Sequence, residues 1–336
     1  MRQFPSPNPP ALARVACLPL LGLLLASTSA WSQPAQPYWQ AEVPARIHDP
    51  STLVRDGEVY WMFATGPGLK AYSSTNLRHW TPAPAPLPVM PDWVRDVVPD
   101  QRGYYWAPDL IRGDDRWLLY YSVSSWGKND SALALLTTTN LGTPEVPARW
   151  TDEGIVLRSY RTNDFNAIDP AAFRDRDGRL WLSFGSFWSG IKLVELDPRT
   201  GRPLTNAPLH SLAWKEAIEA PFLWRRDSHY YLFVNWGQCC RGTNSTYEIR
   251  VGRAPAVTGP YLDRDGKNLL HGGGTLVLGS EGRFIGPGHA GILREGDREW
   301  FSFHYYNGDD RGRPTIAVRP LTWDADGWPV VGPESP

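Results

Sequence analysis

Five short segments of the chain carry the same apolar signature: an aromatic residue, two further residues, then Phe or Tyr. They are YWMF at 60–63, WLLY at 117–120, WLSF at 181–184, YYLF at 230–233 and WFSF at 300–303. Four follow an Asp-containing turn, at Asp56-Gly57, Asp114-Asp115, Asp177-Gly178 and Asp227-Ser228, and the fifth follows Gly296-Asp297. Aromatic-rich runs behind such turns predict the second strand of a β-hairpin. A further apolar run comes after each: LKAYSSTNLRHW (69–80), ALALLTTTNL (132–141), IKLVELD (191–197), TYEIRVGRA (246–254) and TIAVRPLTW (315–323). Five units about 50 to 70 residues apart, each a meander of several strands, predict a single-domain, all-β, five-bladed β-propeller.

Polar positions add a second regularity. Eleven residues before the aromatic run stand Asp49, Trp106, Glu219 and His289, and twelve before it stands Asp169. In a propeller the innermost strands line a central channel, so groups at nearly one offset are expected to meet at its mouth. A single β-sandwich would not explain the matched offsets. Asp169 illustrates the point, because it lies in NAIDPAAF between Ile168 and Pro170, with Ala171, Ala172 and Phe173 behind it. An Asp-Pro pair opens a turn, but apolar neighbours make an ionised side chain costly there. As one spoke of a ring of functional groups the placement makes sense.

Three carboxylates in one pocket suit glycoside hydrolysis, in which one acid protonates the leaving oxygen and one base activates water. Neighbouring carboxylates also drive their pKa values apart. Glu219, in the apolar setting EAIEAPFL, is the expected general acid. Asp49, beside His48, is the expected general base, and Asp169 the group that keeps the acid protonated and orients it. His289 in GPGHAGIL is either a structural histidine or a one-nitrogen metal ligand whose shell waters complete, as oxygen-seeking cations allow. Trp106, with Ser186, Phe187 and Trp188 of GSFWSGI, is expected to bind and stack sugar rings; blade packing is the alternative for the aromatics.

Composition narrows the class. The chain has 336 residues and a formal net charge of -1, which argues against a nucleic-acid binder with its basic stripe. Its 17 Trp and 14 Tyr suit sugar stacking as well as core packing, and 31 Gly with 32 Pro suit short strands and turns. Arg2 and Arg14, the apolar stretch Val15 to Leu25 and the small residues Thr28-Ser29-Ala30 have the form of a signal peptide over 1–30. The apolar run is short for a membrane span, so a secreted or periplasmic chain beginning near Trp31, without a membrane anchor, is expected. A retained anchor is the alternative. Only Cys239 and Cys240 then remain, either closed as a ring between neighbours or buried as thiols. With no His or Cys cluster nearby in sequence they make a weak metal site.

These segments together resemble glycoside hydrolase family 43, and within it the enzymes acting on α-1,5-linked arabinan. The likeness spans roughly 40 to 330 and rests on RIHDPS, YYWAPDL, NAIDPAAF, LSFGSFWSGIKLVELD, EAIEAPFLW, TGPYLDRDG and GPGHAGIL. The most specific segment is CCRGTNSTYEIRVGRA. The resemblance implies a five-bladed propeller and an inverting reaction on arabinan or its oligosaccharides, with Asp49 as base, Asp169 as modulator and Glu219 as acid. It also implies a calcium-like ion near His289. Ser189 stands where many members carry Asp, and NWGQ before the cysteines departs from the usual residues, which bears on chain-length preference. Endo action by a monomer is expected. An exo-acting arabinofuranosidase or β-xylosidase, a sugar-binding propeller without catalysis, and an interaction propeller are the alternatives. The presence of all three carboxylates argues against the last two.

Overall fold

The computed structural model describes residues 46–143 and 146–332. The signal peptide expected over 1–30 and the start near Trp31 lie outside the described residues. Five antiparallel sheets form, and in each the strands follow one another in chain order. The first blade runs Val54–Asp56, Val59–Ala64, Lys70–Ser74 and Thr81–Ala83. The second runs Tyr104–Arg112, Trp117–Val123, Ser131–Thr138 and Thr151–Ser159, with the two-residue strand Gly66–Pro67 added beside Tyr104 and Tyr105. The third comprises Ala171–Arg174, Leu180–Phe184, Ile191–Leu196 and His210–Ala213. The fourth comprises Ile218–Arg226, His229–Trp236, Glu248–Ala254 and Thr275–Leu278. The fifth comprises Phe284–Glu295, Arg298–Asn307, Arg313–Trp323 and Pro329–Val331. Every aromatic signature falls in the second strand of its blade, as the hairpin pattern predicts.

The second strands are mostly apolar because both of their faces are buried. Successive side chains on a strand point to opposite faces. Trp61 and Phe63 therefore pack toward the second blade, while Tyr60, Met62 and Ala64 pack toward the fifth. Five apolar clusters result, one between each pair of consecutive blades, the last and first included. A buried side chain of this size contributes about 1.5–3 kcal/mol, so sheet-on-sheet packing is the main force that closes the ring. The fifth blade also meets the chain ahead of the first directly, through the N–H of Ile47 on the carbonyl of Pro314 at 3.0 Å.

At the head of every inner strand a non-glycine residue enters the left-handed region. The residues are Asp49 (φ 48°), Ala107 (φ 44°), Asp169 (φ 57°), Ala220 (φ 51°) and His289 (φ 63°). In the second, fourth and fifth blades the ladder register shifts at this point, and such bulges re-aim side chains. Each kinked residue then donates its N–H to a side chain of the preceding blade. Ala107 bonds Thr65 Oγ1 (2.8 Å), Asp169 bonds Ser122 Oγ (3.0 Å) and His289 bonds Asn235 Oδ1 (2.9 Å). Asp49 bonds His304 Nδ1 across the ring closure (3.2 Å). In the third blade the corresponding second-strand position is Gly185, whose N–H bonds the carbonyl of Ile168 at 2.8 Å. It has no side chain to offer, so Ala220 bonds Asp169 Oδ2 instead, at 3.2 Å.

This ring corrects the shared offset expected from sequence. The equivalent positions are Asp49, Ala107, Asp169, Ala220 and His289, so Trp106 and Glu219 each stand one residue before the kink. The intervening hairpin arms differ in length, so counting back from the aromatic runs is accurate only to a residue. The signal that finds the true register is the following residue: Pro50, Pro108, Pro170 and Pro221, with Ala290 in the fifth blade.

Candidate active site

The kinked strand heads open on a cleft of about 600 Å³ whose wall includes Asp49, Asp169 and Glu219. Three blades thus supply three carboxylates to one cavity. Asp169 and Glu219 are buried, each 8% exposed. Trp106, Ser186, Phe187 and Trp188 are on the same wall. His289 stands behind it, with Nδ1 at 3.5 Å from Asp49 Oδ1.

Asp49 is held on both oxygens. Oδ2 accepts the hydroxyl of Thr65 at 2.6 Å, and that same hydroxyl oxygen accepts the N–H of Ala107. Oδ1 lies 2.8 Å from His48 Nδ1. His48 in turn places Nε2 at 2.7 Å from the hydroxyl of Tyr306, which accepts the N–H of Cys240 at 2.6 Å. With Nδ1–H directed at the carboxylate, Nε2 is the acceptor of the Tyr306 O–H. His48 also stacks on His304 at 4.2 Å between ring centroids. Burial on its own would push Asp49 upward, but the imidazoles of His48 and His289 overcome it and hold the carboxyl well below its ordinary value. Asp49 is therefore ionised in the folded protein.

The other two carboxyls move the opposite way. Burial, aided by the charge of Asp49, pushes Glu219 up to about 7, against the hydroxyl of Ser186 and the nearby His289 and His48. Ser186 Oγ donates to Glu219 Oε2 at 2.6 Å, and the two residues also form a backbone bridge. Asp169 is raised well above the ordinary range by burial, then by the charges of Glu219 and Asp49. Its one hydrogen bond to the fourth blade goes to Ala220, the residue next to Glu219. One ionised carboxylate facing two carboxyls that tend to keep their protons is the charge arrangement an acid–base pair requires.

Sequence reasoning missed several neighbours of these groups. Asp109, in YYWAPDL, is a further buried carboxylate, and its oxygens accept the N–H groups of Thr52 (3.0 Å) and Ala172 (2.9 Å). It ties the first three blades together behind the cleft wall. Trp126 of SSWGKND lies on the cleft wall, 73% exposed, with its ring edge-on to Trp106 at 6.4 Å. An aromatic in an otherwise polar loop was the available signal. Phe187 and Trp188 both adopt positive φ (56° and 39°), and the carbonyl of Trp188 accepts the indole N–H of Trp214 at 3.1 Å. The cysteines need a further correction. They are joined to each other, on the cleft wall, and a histidine is close by: Cys240 Sγ is 3.6 Å from His48 Nε2. Sequence distance hid that neighbour, 192 positions away.

Comparison with known proteins agrees with this geometry. The chain is 38% identical over 299 residues to the extracellular exo-alpha-(1->5)-L-arabinofuranosidase ArbA of Cellvibrio japonicus, covering 85% of this chain and 86% of the relative. It is 39% identical over 291 residues to the extracellular endo-alpha-(1->5)-L-arabinanase 1 of Bacillus subtilis, covering 84% of this chain and 87% of the relative. Among solved structures it is similar to the alpha-L-arabinanase of Cellvibrio cellulosa complexed with arabinohexaose. That similarity has a TM-score of 0.81 and 37% identity, and covers 86% of this chain and 96% of the other. The model of the glycosyl hydrolases family 43 matches residues 42–329, the propeller and its three cleft carboxylates included, and the chain belongs to that family.

Proposed function

We propose that the protein hydrolyses α-1,5 linkages between arabinofuranosyl residues of arabinan, with inversion and from within the chain. The observation that carries this reading is the cleft with one ionised carboxylate, Asp49, and a second carboxyl, Glu219, pushed up to about 7. The similar proteins named as arabinanases supply the substrate class. Asp49 takes a proton from a water as that water's oxygen bonds to the anomeric carbon. Glu219 gives its proton to the departing oxygen as the glycosidic bond breaks. Asp169, coupled in charge to Glu219, orients it by fixing the backbone beside it: its Oδ2 accepts the N–H of Ala220. His48, held by Tyr306, keeps one Asp49 oxygen aligned, which leaves the carboxylate to receive the water proton. Trp106, Phe187 and Trp188 offer ring faces along the cleft for flanking sugars.

A calcium-class ion is compatible with the residues behind Asp49. His304 is wholly buried, its Nδ1 accepts the N–H of Asp49, and its Nε2 has no partner among the described residues. With Nδ1 accepting, the proton sits on Nε2, so this histidine can donate to a bound water and cannot ligate. His289, directing Nδ1 at Asp49, is the residue whose Nε2 could hold an ion, with waters completing the shell. Such an ion would add positive charge near the carboxylates and order the surrounding water.

The extracellular relatives and the signal-like N-terminus support export. Among the described residues no helix is long and apolar enough to cross a membrane. Similarity to an exo-acting relative at 38% identity favours a second reading, release from chain ends. Products from linear and debranched arabinan decide between them. A ladder of oligosaccharides with an early fall in viscosity is expected; a single product size from the start would establish exo action, and no cleavage would overturn the substrate class.

A further inference from the structure

The Cys239–Cys240 pair has no part in the hydrolytic chemistry above, yet both residues stand on the cleft wall. They are bonded as neighbours, with Cα atoms 3.8 Å apart, in the loop that leaves His229–Trp236. Cys240 is exposed and Cys239 half-buried, so a reductant can reach the bond. His48, Cys239 and Cys240 each offer one ligand atom, and these three atoms lie within 4.8 Å of one another. A tetrahedral zinc centre has Zn–S near 2.3 Å and Zn–N near 2.0 Å, which sets neighbouring ligand atoms roughly 3.5–3.8 Å apart. Cys240 Sγ already stands 3.6 Å from His48 Nε2, and breaking the S–S bond lets the two sulfurs separate to that spacing.

We propose that His48, Cys239 and Cys240 form a redox-gated site for a soft divalent cation of the zinc class. The site is closed while the sulfurs are bonded and open once they are reduced. Disulfide sulfur is a poor ligand, whereas two thiolates and an imidazole are a donor set that zinc and cadmium favour. In the opening step a dithiol or phosphine reductant supplies two electrons; the S–S bond breaks and two protons are taken up, leaving two thiols and the oxidised reductant. Cation binding then releases those two protons, and His48 joins through the nitrogen that now faces Tyr306. A water fills the fourth position.

Occupancy also reaches the hydrolytic site. It takes His48 Nε2 from the Tyr306 hydroxyl, the contact that holds the imidazole in line with Asp49. The loaded protein loses hydrolysis; this consequence rests on the role proposed for Asp49, while cation binding itself does not. An exported hydrolase of this design is silent in a reducing, metal-containing compartment and active after oxidation outside it.

The test uses the full chain carrying Cys17→Ser, which leaves Cys239 and Cys240 as its only thiols. Half the sample is reduced with a phosphine under argon and freed of reductant, and both halves are titrated with cadmium. The reduced sample should show the thiolate-to-cadmium charge-transfer band saturating at one equivalent per chain, and the oxidised sample none. Near-ultraviolet circular dichroism should be the same before and after reduction. Cys240→Ser and His48→Gln should each weaken cadmium binding by more than the roughly 10–100-fold that a merely supporting residue costs. Arabinan hydrolysis should fall in step with the band and return with a chelator. No band in folded reduced protein would overturn the site, as would equal cadmium affinity in Cys240→Ser. Loss of the fold on reduction, or full activity at saturation, would overturn the gating.

Discussion

Removing the hydroxyl of Ser186 should make Glu219 a weaker acid and extend activity to higher pH. Ser186 Oγ donates to Glu219 Oε2 at 2.6 Å, and this bond opposes the upward push of burial on Glu219. A hydrogen bond to a charged group is worth about 1.5–3 kcal/mol, and one pH unit corresponds to about 1.36 kcal/mol. Ser186→Ala should therefore raise Glu219 by about one to two units from its value of about 7. The sign follows from which form the hydroxyl favours. It donates to the ionised carboxylate, so its loss penalises ionisation and the acid keeps its proton longer.

The assay is kcat/KM on arabinan across pH, since its descending limb reports the essential acid of the free enzyme. Wild type should fall through a limb near 7 and Ser186→Ala through one about a unit or two higher. Well below pH 7 the acid is protonated in both proteins, so the variant should lose only the positioning that the bond provides. Glu219→Gln should abolish the limb along with most of the rate. A limb that stays in place in Ser186→Ala, or moves down, would refute both the electrostatic reading of the bond and Glu219 as the acid. Circular dichroism at each pH separates these outcomes from unfolding.

Other expectations follow from the same geometry. Glu219→Ala should lose about 10²–10⁴-fold on arabinan but far less on an aryl arabinofuranoside with an acidic phenol, whereas Asp49→Ala should fail on both; equal losses for Glu219→Ala would reverse the assignment. Glu219 is raised from 4.5 to about 7, so the protonated folded form loses its advantage as pH rises through that window, and Glu219→Gln should gain on the order of 3 kcal/mol over wild type above it. Thermal melts at acid and alkaline pH check this, and parallel curves for the two proteins would contradict it. His289→Ala should lose a bound divalent ion and activity together; elemental analysis finding no ion in active wild type would leave His289 a hydrogen-bonding residue. Secreted protein should begin near Trp31, and N-terminal sequencing that still showed Val15 to Leu25 would contradict cleavage.

The fold was legible because its cause is local and repeated. Each second strand is buried on two faces, so its apolar residues run without the interruptions that a half-exposed strand would show, and the Asp turn before it marks the hairpin. Asp49, Asp169 and Glu219 could be picked out on the same basis, by their place just before an inner strand. The exact equivalence was not legible from spacing, because each hairpin arm can gain or lose a residue without altering the channel. What is conserved from blade to blade in this one chain is a bond: the kinked N–H must find an acceptor in the preceding blade. Thr65, Ser122, Asn235 and His304 serve in four places. These side chains differ in kind, so no motif announces them.

The third blade shows how that structural requirement shapes the chemistry. A Cβ at Gly185 would come within 2.4 Å of the carbonyl oxygen of Gly190, so no larger residue fits where the usual acceptor stands. The acceptor for Ala220 must come from elsewhere, and Asp169 provides it. That bond holds a buried carboxyl against the backbone of the residue next to Glu219. The kink at Ala220, in turn, sets Glu219 one position before the left-handed residue, whereas Asp49 occupies the left-handed position itself. Two carboxylates on equivalent strands are thereby aimed by different backbone conformations, and their surroundings diverge: imidazoles around Asp49, a hydroxyl and apolar burial around Glu219. The separation of an ionised base from a protonated acid is thus already present in how five similar strands solve the same hydrogen-bonding problem in slightly different ways.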